Sequence, residues 1–171
     1  MPQPAAQPRT CALPATDPKA MEQLEPLLHV LRTNVRVSAP TAFPRGSLMP
    51  DGRLDLCKQG LGPEGAKAVA EALRENTSVS ALLMGADAIG NDGAQAISDL
   101  IEHNRALTTV FLGCNQIDEV GARALARALA GNPSVKGLWL KRNALGGAGL
   151  LSLPRSARTR TCARSTSRKR A

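Results

Sequence analysis

Apolar and polar positions repeat every 28 residues from Leu54 to Leu151, with no gap needed. Residues 110–137, VFLGCNQIDEVGARALARALAGNPSVKG, align with 82–109 and with 54–81, and a fourth start begins at Leu138. Self-similarity at a fixed period of this size marks a stacked-repeat protein, in which each unit needs its neighbours to bury its apolar face. Two segments alternate inside the unit. The first places apolar residues at alternate positions: Leu82 and Met84, Val110 and Leu112, Leu138 and Leu140. That alternation predicts short strands near 54–56, 82–84, 110–112 and 138–140, each with one buried face. A polar column of Gln59, Asp87, Asn115 and Asn143 follows the strands. Side chains there can bond backbone groups that a buried turn would otherwise leave unpaired.

The second segment has helical spacing, with Ala66, Val69, Ala70 and Leu73 in one unit and Ala122, Leu125, Ala126 and Leu129 two units later. It predicts helices near 63–75, 91–103 and 119–131. Gly62, Gly90 and Asp118 share a column that suits an N-cap, and Pro63 stands where its missing N–H costs nothing. Asn76, Asn104 and Asn132 share the helix-end column, where a left-handed backbone is expected.

The strand segment, with its spacing L-x-x-L-x-L-x-x-N-x-L, and the helical halves GAKAVAEALREN from Gly65 and GARALARALAGNPSV from Gly121 resemble leucine-rich repeats of the ribonuclease-inhibitor-like subclass. The 28-residue form is similar to the repeats of NOD-like receptors and of the Ran GTPase-activating protein. The resemblance covers residues 54–151. It implies an α/β fold: a short solenoid arc of about three and a half repeats, parallel strands on the concave side and helices on the convex side. A helix is wider than a strand, so a stack of this kind must curve with the strands inside.

Outside the repeats the composition changes. Residues 1–20 hold five of the twelve prolines and read as a disordered N-terminus without the apolar run of a secretory signal. Residues 21–53 read as an N-terminal cap: a helix over 21–33, firm over 25–33 because Pro26 is tolerated only near a helix start, then a Pro-rich loop over 38–53 with a short hairpin into the first strand. The ending LRTNVRV echoes LRENTSV at Leu73, as a worn half-repeat would. The repeats occupy 54–153, and Pro154 then falls at a mid-helix position.

Charge separates the tail from the body. Seven of the 22 basic residues and none of the 14 acidic ones follow Pro154, so residues 1–153 are nearly neutral. The segment 154–171 reads as a basic disordered tail, with Arg164, Arg168, Lys169 and Arg170 as its candidate contacts. Three readings of it stay open: a nucleic-acid or nuclear-import element, a solvated tail without a partner, or the unrelated ending of a truncated array. No aromatic residue interleaves its arginines, which speaks against stacking on single strands. A truncated array would expose Leu138, Leu140, Leu145 and Leu150 on its C-terminal face and self-associate through it.

Catalytic and metal-binding patterns are absent from the sequence. Cys11, Cys57, Cys114 and Cys162 lack metal-ligand spacing and read as reduced thiols. Cys57 and Cys114 lie two strands apart, about 10 Å, beyond disulfide reach. His29 and His103 fall on helices without a nucleophile or carboxylate at useful spacing, and Asp118 with Glu119 is an acid pair of the kind helix N-termini attract. The G-x-x-G runs lack the Lys-Ser/Thr of a phosphate loop. The expectation is a non-enzyme without a cofactor. No run of eighteen apolar residues exists to span a membrane, and the location expected is cytoplasmic, or nuclear through the tail.

The strand residues that flank the buried leucines carry the functional expectation. One outward column reads Asp55, Leu83, Phe111, Trp139, and another reads Cys57, Gly85, Gly113, Lys141. Two of the three aromatic residues in the chain fall in the first column, and the small glycines leave them uncovered. Exposed apolar clusters mark interaction sites. Asp55, Leu83, Phe111, Trp139, Lys141 and Arg142 are therefore the candidate partner-binding residues of a protein-interaction module. The Ran GTPase-activating protein resemblance implies the alternative of a small-GTPase regulator. A truncated fragment with a nucleic-acid-binding tail is the third reading.

Overall fold

In the computed structural model, which describes residues 18–153, the alternating segments form a six-stranded sheet in sequence order. A hairpin of β1 (Thr41–Ala42) and β2 (Ser47–Leu48) leads antiparallel into β3 (Arg53–Asp55). Parallel strands follow: β4 (Ala81–Leu83), β5 (Thr109–Phe111) and β6 (Gly137–Trp139). Each parallel pair is offset by one full period, so Leu54, Leu82, Val110 and Leu138 stand side by side. The strands begin and end one residue earlier than the alternation predicts.

Between strands the chain crosses back through helices: α1 (Ala20–Thr33) before the sheet, then α2 (Gly62–Leu73), α3 (Gly90–His103), α4 (Glu119–Ala130) and the short α5 (Gly146–Ser152). Each helix packs on the next, α1 on α2 through to α4 on α5. The result is a short solenoid arc with strands in one layer and helices in the other. The core lies between them, built from inward strand residues such as Leu54, Leu82 and Leu112 and the helix stripe of Val69, Ile97 and Leu125.

Two ladders of polar side chains hold the period. At the helix ends, Asn76 donates Nδ2 to the Leu31 carbonyl at 2.7 Å, and Asn104 donates to the carbonyls of Leu73 and Asn76 at 2.8 Å each. Asn132 repeats the motif on Ile101 and Asn104. These residues do not adopt the left-handed backbone expected of them; Asn104 is extended. Their value lies in the amide side chain, which offers a donor to one repeat and an acceptor to its own loop. The left-handed residue is Asn34, the worn repeat's counterpart, with φ 57°. At the strand ends Asn143 donates to Leu112 O at 2.7 Å and accepts from Asn115 N at 2.8 Å. Asn115 in turn donates to Met84 O at 2.6 Å and accepts from Asp87 N at 2.9 Å.

Several expectations are corrected. The N-cap column caps with a side chain only at Asp118, whose Oδ1 accepts from Val120 N at 2.7 Å. Gly62 and Gly90 instead turn the chain into the helix with φ near +60°, a conformation that glycine adopts without strain. Helix α1 runs straight through Pro26, which lies on its exposed side, where water can bond the carbonyl that loses its partner. The C-terminal face does not expose its leucines: Leu138, Leu140 and Leu145 are buried in the core cluster, together with Leu153. Leu151 is the exposed one on α5, and the side chain of Leu150 lies outside the described residues. The N-terminal segment before Pro18 and the basic tail, with Arg164, Arg168, Lys169 and Arg170, also lie outside them.

Candidate functional site

On a strand, successive side chains point to opposite faces, so the residues that flank the buried leucines face away from the helices. The parallel register brings Asp55, Leu83, Phe111 and Trp139 into one row across β3 to β6, with neighbours about 4.8 Å apart. All four are half-buried, in contrast to the fully buried Leu54, Leu82 and Val110 beside them.

The glycines of the adjacent rows have a role that differs from the one expected. A Cβ at Gly85 would stand 2.5 Å from the Phe111 ring, and one at Gly113 would stand 2.9 Å from it. A Cβ at Gly137 would stand 2.5 Å from two carbons of the Trp139 indole. The rings therefore lie down on glycine seats and cover the backbone, with the remaining ring surface turned outward. Sequence reasoning noted the Gly85–Gly113 column but not the seat at Gly137. The signal was readable: each aromatic stands two residues from a glycine in its own segment, Phe111 from Gly113 and Trp139 from Gly137.

The polar groups of the face lie at its ends. Asp55 accepts from the Cys57 amide at 3.0 Å, and the Cys57 sulfur accepts from the Gly85 amide at 3.3 Å. Burial pushes the Cys57 thiol up to about 11, with the Gly85 amide opposing and Asp55 adding to the rise, so it stays protonated at neutral pH. Cys57 is a free thiol. At the other end Lys141 and Arg142 are exposed, and among the described residues neither makes an ion pair. Arg142 sits at φ 61°, in a left-handed column with Lys58, Ala86 and Cys114, where each repeat leaves its strand.

Among the described residues no group of three metal-ligating side chains comes together. His29 and His103 are exposed on their helices, and His103 Nδ1 lies 2.7 Å from the Asp99 carbonyl one turn back. No described helix is long and apolar enough to cross a membrane.

Comparison with known proteins agrees with this geometry. Residues 103–126, the end of α3 through most of α4, match the leucine-rich-repeat family model. No curated protein matches the chain significantly in sequence. Among solved structures, leiomodin-1 actin-binding site 2 is similar with a TM-score of 0.62 at 20% identity, over 75% of this chain and 68% of that one. The likeness is one of fold. A matched repeat, a period that carries it along the chain, and this strand-and-helix arc are those of a short leucine-rich-repeat solenoid.

Proposed function

We propose that the protein is a non-catalytic interaction module that binds a protein partner through the strand face. Phe111 is its anchor, Leu83 and Trp139 extend the apolar row, and Asp55, Lys141 and Arg142 are its polar ends. The observation that carries this reading is the seating of Phe111: two glycines just past the ends of neighbouring strands leave room for a large ring on the outer face of the sheet, where it adds nothing to the core between sheet and helices. Gly85 and Gly113 follow β4 and β5 by two residues, and a side chain at either position would push against the ring. Hot-spot residues are typically such rigid aromatics. The sparse charge of the face favours this reading over a GTPase regulator acting through charged repeat edges. The 28-residue period supports the ribonuclease-inhibitor-like subclass, and a cytoplasmic location goes with it.

The test compares Phe111→Ser with Arg127→Ser, an exposed position on the helical side. Recovery of partners from lysate by the full chain and melting by circular dichroism are both read. Phe111→Ser is expected to weaken the partner by roughly 2 kcal/mol or more while the fold persists, and Arg127→Ser to change neither. The reading fails if partner recovery survives Phe111→Ser together with Trp139→Ser, or if Phe111→Ser unfolds the chain.

A further inference from the structure

The strand-end ladder has one member of a different kind. Asn115 and Asn143 each donate Nδ2 to the carbonyl 31 residues earlier, Met84 and Leu112. The same step from Asp87 leads to the carbonyl of Leu56. Asp87 keeps the accepting half of the motif, since its Oδ1 takes the Gln59 amide at 2.7 Å. With Oδ1 in the accepting role, Oδ2 is the atom that corresponds to the asparagines' amide nitrogen. That oxygen is buried and has no hydrogen-bond partner, in a residue that is 0% exposed. An ionised carboxylate only accepts, and two acceptors cannot bond each other.

We propose that Asp87 is held in the folded protein as a neutral carboxylic acid that donates Oδ2–H to the Leu56 carbonyl, and that loss of this proton weakens the junction between the first two repeats. The protonated acid reproduces the donor-and-acceptor pattern of asparagine and completes the ladder.

The surroundings agree. Burial first and the Asp55 charge on β3 last raise the Asp87 carboxyl from 3.8 to about 7, against the amides of Gln59, Leu61 and Gly60. The other groups on that side are the neutral Cys57 thiol and the exposed Lys58. Arg45 of the hairpin bonds the Gln59 carbonyl and the Gln23 side chain. Glu64 of α2 is paired with Lys67, and Asp92 at the start of α3 is exposed. On the β5 side the neighbour is the uncharged Asn115. Among the described residues no cation contributes to the shift.

The sign follows from proton counting. Between 3.8 and about 7 the folded chain holds a proton that the unfolded chain has lost. This contribution to stability is complete below about pH 4, falls as pH rises and is gone above about pH 7, a change of about a thousandfold in the folding constant.

The experiment uses the full chain and its Asp87→Asn variant, which supplies the missing donor permanently. Urea unfolding is measured from about pH 4 to about pH 8, and the carboxyl carbon of Asp87 is titrated by NMR in the wild type. The expected results are a carboxyl that titrates near neutrality and a wild-type folding constant that falls with pH by about a thousandfold relative to the variant's. A carboxyl that titrates near pH 4, or parallel pH profiles for the two proteins, would overturn the proposal. The titration needs only the wild type, so it decides the matter even if the variant misfolds.

Discussion

Truncating Asn104 to alanine tests what the asparagine ladder contributes to the stack. The side chain is 4% exposed and makes four hydrogen bonds: two from Nδ2 to Leu73 O and Asn76 O, and two into Oδ1 from the amides of Ala106 and Leu107. Asn104→Ala leaves all four backbone groups without that partner. A buried polar group left unsatisfied costs about 1–3 kcal/mol. Ala106 is half-buried, so water can reach its amide, and a water admitted to the vacated space can serve part of the rest. The expected loss is about 3–5 kcal/mol, a large share of the roughly 5–15 kcal/mol typical of a folded domain. Asn34 provides the comparison, because it accepts from Thr77 N at 2.8 Å and Ser78 N at 3.1 Å while exposed to solvent. Asn34→Gly, which keeps its left-handed backbone free of strain, is expected to cost only about 1 kcal/mol. Urea unfolding followed by circular dichroism reads both. If Asn104→Ala lies within about 1 kcal/mol of wild type, or costs no more than Asn34→Gly, the ladder is not a source of stability and the reasoning fails.

Two further substitutions probe the core and the face. Leu125 is 0% exposed in the helix stripe, so Leu125→Asp places an unpaired charge in the stack and is expected to cost several kcal/mol; an unchanged melting curve would mean that the helix register is wrong. Gly85→Ala puts a methyl 2.5 Å from the Phe111 ring and must swing the ring off its seat. Partner recovery is expected to fall with melting nearly unchanged, and full recovery would show that the ring's pose does not matter.

The architecture was legible because the period runs without interruption. A fixed 28-residue step makes every column of the sequence a row in space, so the pairing of Asp55, Leu83, Phe111 and Trp139 followed from alignment alone, as did the inward rows of leucine. Tertiary structure decided whatever depends on a neighbour one repeat away. Asparagine at the helix ends suited a left-handed turn, yet the carbonyls of the preceding repeat recruit its amide instead. Glycines two residues beyond Leu83 and Phe111 looked like gaps, yet the Phe111 ring folds down onto them. Pro26 looked like a boundary, but it lies on the exposed side of a helix held along its other face by Leu24, Leu27, Leu28 and Leu31. Asp87 shows the division within one residue. The sequence placed an acid in an asparagine column, and only burial against the preceding turn leaves its second oxygen without a partner. Local pattern determines which residues share a row, because strand and helix periods are properties of the backbone. The charge and hydrogen-bonding state of each row depend on solvent exclusion, which exists only once the repeats have stacked.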